Sequence, residues 1–523
     1  MSRFHRRFVS ALFAVLLGAL AVVSAHAAEL RIGLAADVTS MDPHFHNIGP
    51  NNLVAWHVFE ALTYVDENAR LVPGLATSWR AIDATTWEFK LRRGVKFHDG
   101  SELTAADVVA SIERPARLIA SPGPFTTFTK PIVAMQIVDP YTLRLKTAAP
   151  YAMLPYDLNS IFIVSRKAAA MSTADFDSGK AMIGTGPFRF VAFKRGDRIE
   201  FARNDRYWGA KPQWERVTLR ILTSDPARIA ALLAGDVDAI ESIPPADAAR
   251  LKNNPKFRLE QKVSWRTIFF TLDQSRDATP FATDAGGKPL AKNPLKDARV
   301  RLAISKAIDR RAIDDRIMDG LATPASNLVA PTIFGYAAAL KPEDYDPQGA
   351  KALLAQAGYP DGFGLTLHAP NNRYANDDQI AQAVAQMLTR IGIRTRVETM
   401  PAAVYFSRAR KDEFSFAMLG WGSFSADLAL RSLVMTPDAS RGYGAWNWGH
   451  YSNPRVDKLV IEALATTDNA KREALARDAM TLAMRDHAVI PLHHQIATWA
   501  MRRDLAYAAR TDEYTFAQGF TQR

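Results

Sequence analysis

Val217-Thr218-Leu219-Arg220-Ile221-Leu222, Ser224-Asp225-Pro226 and Gly235-Asp236-Val237-Asp238-Ala239 are the stretch on which the fold class turns. Residues 217–222 read as a strand. Ser224-Asp225-Pro226 opens a helix with proline in the first turn, where its missing N–H is not needed. Ile229, Leu232 and Leu233 form an apolar stripe, Gly235 stops the helix, and residues 237–243 read as a second strand. A strand, a helix and a strand spaced this tightly predict parallel pairing through a right-handed crossover.

The same grammar repeats in the C-terminal half. Asp346-Pro347 starts a helix that ends at Gly358, and a strand follows over residues 364–368. Asp377-Asp378 opens another helix, in which Ile380, Val384, Met387, Leu388 and Ile391 recur at helical spacing. Gly392 caps it before a strand over 393–399. Strands dominate elsewhere. Residues 30–34 alternate, residues 87–91 predict a hairpin turning at Arg92-Arg93-Gly94 into Val95 and Phe97, and residues 188–190 pair with Ile199 and Phe201 across Arg195-Gly196-Asp197. Residues 277–294, rich in Gly, Pro, Asp and Lys, read as a loop or a connection between lobes. The expectation is two α/β lobes with an inserted strand-rich subdomain, and a cleft at the carboxyl ends of the strands.

Composition narrows the function. The chain has 523 residues, 48% of them apolar and 23% charged, a globular balance. It has no cysteine, which excludes disulfides, thiolate metal sites and thiol nucleophiles. The formal charge of +11 is dispersed, with no more than two basic residues adjacent, so no nucleic-acid footprint is expected. Arg3, Arg6 and Arg7, the apolar run over residues 8–23 and Ala25-His26-Ala27 form a secretory leader, with cleavage expected after Ala27. Its apolar run is too short for a comfortable membrane span. Without a cysteine at the cleavage site no lipid can be attached there, and the periplasm is the expected compartment.

Catalytic patterns are missing. No H-E-x-x-H, G-x-S-x-G or G-x-x-x-x-G-K-[ST] occurs. Gly184-Thr185-Gly186 precedes Pro187 and a strand, so it reads as a turn. His44 with His46, and His493-His494, lack a third ligand at fixed spacing and read as loop histidines. Asp314-Asp315 and Asp377-Asp378 sit at or on helices. No catalytic residue, metal or cofactor is expected, so the chain reads as a binder and not an enzyme.

Dispersed motifs add a resemblance. Pro73-Gly74-Leu75-Ala76-Thr77-Ser78-Trp79 is followed by Trp87-Glu88-Phe89-Lys90-Leu91-Arg92-Arg93-Gly94-Val95-Lys96-Phe97-His98-Asp99-Gly100 and Leu103-Thr104-Ala105-Ala106-Asp107-Val108. Later come Arg203-Asn204-Asp205-Arg206-Tyr207-Trp208, Gly235-Asp236-Val237-Asp238-Ala239 and Tyr451-Ser452-Asn453-Pro454. In this order the blocks resemble the family 5 solute-binding proteins of ABC importers, the dipeptide- and oligopeptide-binding, nickel and opine type.

The resemblance implies a bilobal periplasmic-binding-protein fold, type II, cluster C, with an extra inserted domain. Its expected divisions are the leader 1–27, lobe I over 28–62, 183–275 and 497–523, an inserted domain II over 63–182, and lobe III over 276–496. It implies a monomer that closes on a peptide or peptide-like solute and delivers it to membrane permease subunits. Receptors for glutathione or opine conjugates, or for a nickel chelate, are alternatives in the same fold; a secreted peptide hydrolase is the alternative of another class. Peptide-binding relatives hold the ligand's ammonium with an Asp three residues after a Gly-Trp tryptophan. Here Gly420-Trp421 is followed at that place by Phe424, which cannot neutralise a buried charge. Asp427 and Arg431, four apart, are either an ion pair on a helix surface or ligand contacts. Trp421, Phe424, Trp446, Asn47 and Tyr374 are the further ligand candidates, together with Arg373, whose planar fork suits a carboxylate.

Overall fold

One mixed sheet of twelve strands runs through both lobes of the computed structural model, which describes residues 28–119 and 121–523. The expected leader lies outside the described residues. The first lobe contributes β1 (Glu29–Leu34), β2 (Phe188–Lys194), β3 (Arg198–Arg203), β4 (Arg216–Ile221) and β5 (Ala239–Glu241). Two long strands follow the order across to the other lobe: β6 (Phe257–Leu272) and, near the C-terminus, β10 (Ile490–Arg502). The third lobe adds β7 (Phe363–Pro370), β8 (Ile393–Met400) and β9 (Phe416–Gly422). The path is β2-β3-β4-β1-β5-β10-β6-β9-β7, with β8 beside β7.

The predicted crossover forms, with one difference. Helix α1 (Asp225–Ala234) ends on Gly235, whose φ of +80° is a left-handed conformation that glycine adopts without penalty. The flanking strands β4 and β5 are parallel but do not touch, because β1 lies between them and pairs with both. Nothing local in residues 217–243 encodes that insertion. In the third lobe β7, helix α2 (Asp377–Arg390) and β8 make a directly paired parallel unit, Phe363 to Pro370 against Ile393 to Met400.

Each lobe has its own core. Trp214, Phe201 and Trp499 are buried in the first, and Phe270, Ile380 and Leu388 in the third. Full burial of side chains this size contributes about 1.5–3 kcal/mol each. A third apolar core lies under a separate four-stranded antiparallel sheet, Ala76–Ala81, Thr86–Leu91, Thr142–Thr147 and Ile132–Asp139. Residues 87–91 therefore pair on both sides, with Ala76–Ala81 and Thr142–Thr147. The hairpin expected at Arg92-Arg93-Gly94 does not form. Val95 and Phe97 are buried, at 0% and 3% exposure, but lie outside any strand.

Two further expectations are corrected. Residues 277–294 do not simply link lobes: Ala282–Thr283 adds an edge strand antiparallel to β7. Gly184-Thr185-Gly186 is a close approach more than a turn, since a Cβ on Gly184 would stand 1.9 Å from the Val58 carbonyl oxygen. Among the described residues no helix is long and apolar enough to cross a membrane.

Candidate functional site

The lobes meet at a bulge. Val263 of β6 faces Ile496 of β10, and the next aligned pair is Thr267 with His494. Ser264, Trp265 and Arg266 thus stand opposite Gln495 alone, an irregularity that bends and twists a strand pair. The C-terminal segment pins this bulge. Trp265 N–H donates to the Thr511 carbonyl at 2.9 Å, and Ser264 Oγ donates to Glu513 Oε1 at 2.6 Å. Arg266 donates from Nε and Nη2 to the two Glu513 oxygens, at 3.1 and 2.7 Å.

Beside the bulge lies a cavity of about 780 Å³, walled by both lobes. Its first-lobe wall is made where strands end: Ala35 follows β1, Thr223 follows β4 and Ser242 follows β5. Its third-lobe wall is residues 371–378, directly after β7. Parallel strands of both lobes thus aim their carboxyl ends into one space, the place where such sheets take ligands.

The walls are held rigidly. Arg228 donates to the backbone carbonyls of Leu222, Glu241 and Ser242 and to Asp225, tying together the ends of β4 and β5. Glu241 accepts from Ala35 N–H at 3.0 Å and from Thr515 Oγ1, and burial pushes its carboxyl above the usual range. Across the cavity, Asp377 accepts from the backbone N–H of Arg373 and Tyr374 at 2.9 and 3.0 Å. Tyr374 Oη accepts from Gly420 N–H at 2.8 Å, fixing the loop to β9.

That loop leaves Arg373 standing in the cavity. Its guanidinium makes no hydrogen bond or ion pair among the described residues and lies 5.2 Å from the Tyr374 ring centre. Water reaches it, yet protein surrounds it, so lost hydration and the Arg266 charge hold its pKa below the usual guanidinium range. An unpaired cation crowded by a second one is set to receive an anion.

Arg373 and Tyr374 are the two sequence candidates that line this cavity. Trp421 is the penultimate residue of β9, its ring 5.4 Å from Trp446, and its indole N–H is buried without a partner. Trp446 in turn packs against Trp448 and Phe406. Phe424 stands edge-on to Trp265 at 5.0 Å. Asn47 is engaged locally: its Oδ1 accepts from Asn52 at 2.7 Å.

Asp427 requires correction. It is fully buried, and Arg472 of helix α4 (Asn469–Arg485) donates to both its oxygens, at 2.6 and 3.1 Å. The surface pair with Arg431 is not made, and no part of this carboxylate is free to meet a solute. Both residues lie on helix α3 (Ala426–Leu433), and Arg431 turns toward the inserted domain. There its charge opposes the burial that pushes Asp157 up to about 7.

The histidines divide: His44 and His46 lie in the loop after β1 as expected, but the second pair does not. His493 and His494 lie in β10, with burial pushing their pKa values down to about 3 and about 4. His44 is buried against the Phe162 carbonyl at 2.7 Å, whereas His46 contacts Thr39. Among the described residues no three His, Asp or Glu side chains gather around a potential metal position.

Arg266, Glu513 and Glu241 were invisible in the sequence reading. Arg266 has an ordinary place in a strand, and Glu513 lies near the C-terminus in no recognisable motif.

Comparison with known proteins gives consistent matches. The family model "Bacterial extracellular solute-binding proteins, family 5 Middle" matches residues 70–433. Among curated proteins, the glutathione-binding protein GsiB of Pectobacterium atrosepticum is 29% identical over 462 residues, covering 87% of this chain and 86% of its own. The heme-binding protein A of Haemophilus influenzae is 29% identical over 457 residues, with 81% and 79% covered. Among solved structures, the periplasmic binding protein DppA of Helicobacter pylori in complex with the peptide STSA superposes with a TM-score of 0.76 at 26% identity, covering 94% of this chain and 98% of that one.

Proposed function

The chain belongs to the bacterial extracellular solute-binding proteins, family 5, and from that premise we propose that it is the periplasmic receptor of an ABC importer for a small peptide or peptide-like solute. The solute lies between lobe I (residues 28–62, 183–275 and 497–523) and lobe III (276–496), with domain II (63–182) inserted. Closure about the bulge at Ser264, Trp265 and Arg266 makes binding a conformational signal that permease subunits read. The chain acts as a monomer and releases its solute chemically unchanged. The leader over residues 1–27 delivers it to the periplasm.

The observation that carries this reading is the unpaired Arg373 guanidinium in a cavity shared by both lobes. It fits a carboxylate of the solute, held bidentately. The cavity's volume of about 780 Å³ is within the range of small-molecule sites.

A glutathione-type conjugate is the second reading. Phe424 at the place where peptide-binding relatives carry their ammonium-binding Asp favours a solute without a conventionally held amino terminus. The names of two relatives, one glutathione-binding and one a peptide complex, support testing both classes. A nickel chelate has less support, because His44 and His46 have separate partners.

Titration calorimetry of the mature chain against di- and tripeptides, glutathione and opines is the test. We expect a saturable 1:1 isotherm with one class, weakened about 100-fold by Arg373→Ala, which is the loss of one bidentate charge-assisted pair. Silence across the panel, or an isotherm indifferent to Arg373→Ala, would refute the assignment of the site.

A further inference from the structure

The inter-lobe cavity is lined by five carboxylates, Asp225, Glu241, Asp377, Asp378 and Glu513, and by three guanidiniums, Arg228, Arg266 and Arg373. Most of these charges are already answered by the protein. Arg228 donates to Asp225 at 2.5 Å, and Arg266 holds both oxygens of Glu513. Glu241 accepts from Ala35 N–H and Thr515 Oγ1. Asp377 accepts from the backbone N–H groups of Arg373, Tyr374 and Asp378. One cation and one anion are left over. They are Arg373 and Asp378, whose carboxylate accepts no hydrogen bond and joins no ion pair among the described residues.

Both stand on one turn of the third-lobe wall. Asn376, between them, takes a φ of +52°, a left-handed conformation that asparagine adopts more readily than most residues, and the chain turns there into α2. Asp377 closes the turn from inside, so the frame that carries Arg373 and Asp378 is set before any solute arrives. Even fully extended, the chain between them would span at most about 17 Å, and the turn shortens this to the reach of a short peptide. An acid in the first turn of a helix has an ordinary use there, against the helix dipole. Asp378 differs in lining a cavity whose carboxylates outnumber its guanidiniums, by four to three even with Glu241 uncharged. A solute bearing only a carboxylate would satisfy Arg373 and leave that negative excess unanswered.

We infer that Asp378 is a specificity-determining residue of the cleft, receiving the ammonium of a zwitterionic solute whose carboxylate lies on Arg373. The inference rests on the cleft being the solute site, and it adds the second charge that the solute must carry. It supplies the acid that is missing where Phe424 stands, and from a different element: Phe424 follows β9, whereas Asp378 lies in the first turn of α2. An ammonium only donates and a carboxylate only accepts, so one zwitterion completes both leftover groups.

Calorimetry on the full mature chain compares two solutes with the forms that lack only the amine: L-alanyl-L-alanine with N-propionyl-L-alanine, and glutathione with glutaryl-cysteinylglycine. At least one amine-bearing solute should bind one to one, and its deaminated form about tenfold or more weaker, the loss of one charge-assisted hydrogen bond. Asp378→Asn should weaken the amine-bearing solute about tenfold and leave the deaminated one within about twofold. Asp378→Glu, which keeps the charge, should retain a preference for the amine. Arg373→Ala should weaken both forms alike, because it removes the carboxylate's partner. A preference for the amine that persists in Asp378→Asn, while Arg373→Ala still costs affinity, would overturn the inference and leave the cleft assignment standing. Equal affinity of the unaltered protein for both forms would do the same. No binding by either amine-bearing solute would also overturn the inference, and binding indifferent to Arg373→Ala would overturn the cleft assignment with it.

Discussion

Arg266 and Glu513 form a two-pronged ion pair, at 3.1 and 2.7 Å, between the bulge that joins the lobes and the C-terminal segment. Their side chains keep 17% and 22% exposure, so water screens the pair in part. Burial raises the Glu513 carboxyl, but the Arg266 charge and its hydrogen bonds outweigh burial and hold it below the usual carboxylate range. Glu513→Gln would leave Arg266 without its ion-pair partner beside the Arg373 cation. We expect a loss of about 1–2 kcal/mol at pH 7, less than for a fully buried pair, read from the urea midpoint.

The same pair fixes a direction with pH. A carboxyl depressed in the folded state stabilises the fold above its unfolded pKa, near 4.3, and that stabilisation is lost as pH falls through the folded value. The Glu513→Gln penalty should therefore be full at pH 6 and shrink progressively below about pH 4.3. A penalty that is constant from pH 6 down to pH 3.5 would refute the ionised pair.

Glu60 should behave in the opposite sense. Its carboxylate accepts from Thr185 at 2.8 Å and from Tyr207 and Trp208 at 2.9 Å, yet burial dominates and pushes it up to about 7. A carboxyl raised on folding stabilises below its unfolded pKa, and this contribution is lost as pH rises through the folded value. Between about pH 4.5 and 7 the protein should lose roughly 3 kcal/mol relative to Glu60→Gln, at 1.4 kcal/mol per pKa unit. Melting curves of the two proteins that run parallel across this window would refute it.

Much of this was legible locally, and the exceptions share a cause. Helix α1 was readable from Ser224-Asp225-Pro226 and Gly235, and α2 from its apolar spacing and Gly392, because caps and periodicity are short-range signals. Arg373 and Tyr374 were readable because they directly follow β7, on the side where clefts form. The place of β1 between β4 and β5 was not, since sheet order depends on segments far apart in the chain. Arg266 and Glu513 are 247 positions apart. Asp427 looked like half of an i,i+4 pair with Arg431, and its true partner lies 45 positions on, in another helix.

That buried pair gives a larger effect than any surface bridge. Asp427 and Arg472 have side-chain exposures of 0% and 1%. Asp427→Asn would strand a guanidinium between Tyr156 and Phe334 with no counter-charge, at a cost of about 3–5 kcal/mol. Replacing both, Asp427→Leu with Arg472→Met, removes the stranded charge and should recover most of that loss. A double variant as unstable as Asp427→Asn would mean that shape, and not charge, dominates at this junction.

Trp265 offers a direct report of lobe closure. It is the middle residue of the bulge, its ring 5.0 Å from Phe424 of the third lobe and 6.5 Å from Tyr514 of the C-terminal segment. Its indole N–H is buried without a partner, so its emission depends on how closely those two neighbours approach. Rotation of the lobes about the bulge must change at least one of the two distances, since the neighbours belong to different sides. Solute binding should therefore shift the tryptophan emission, and Trp265→Phe should abolish most of that shift while the calorimetric affinity stays within about threefold, a change below 1 kcal/mol. If the shift survives in Trp265→Phe, the lobes do not turn about Ser264, Trp265 and Arg266, and the hinge must be sought elsewhere along β6 and β10.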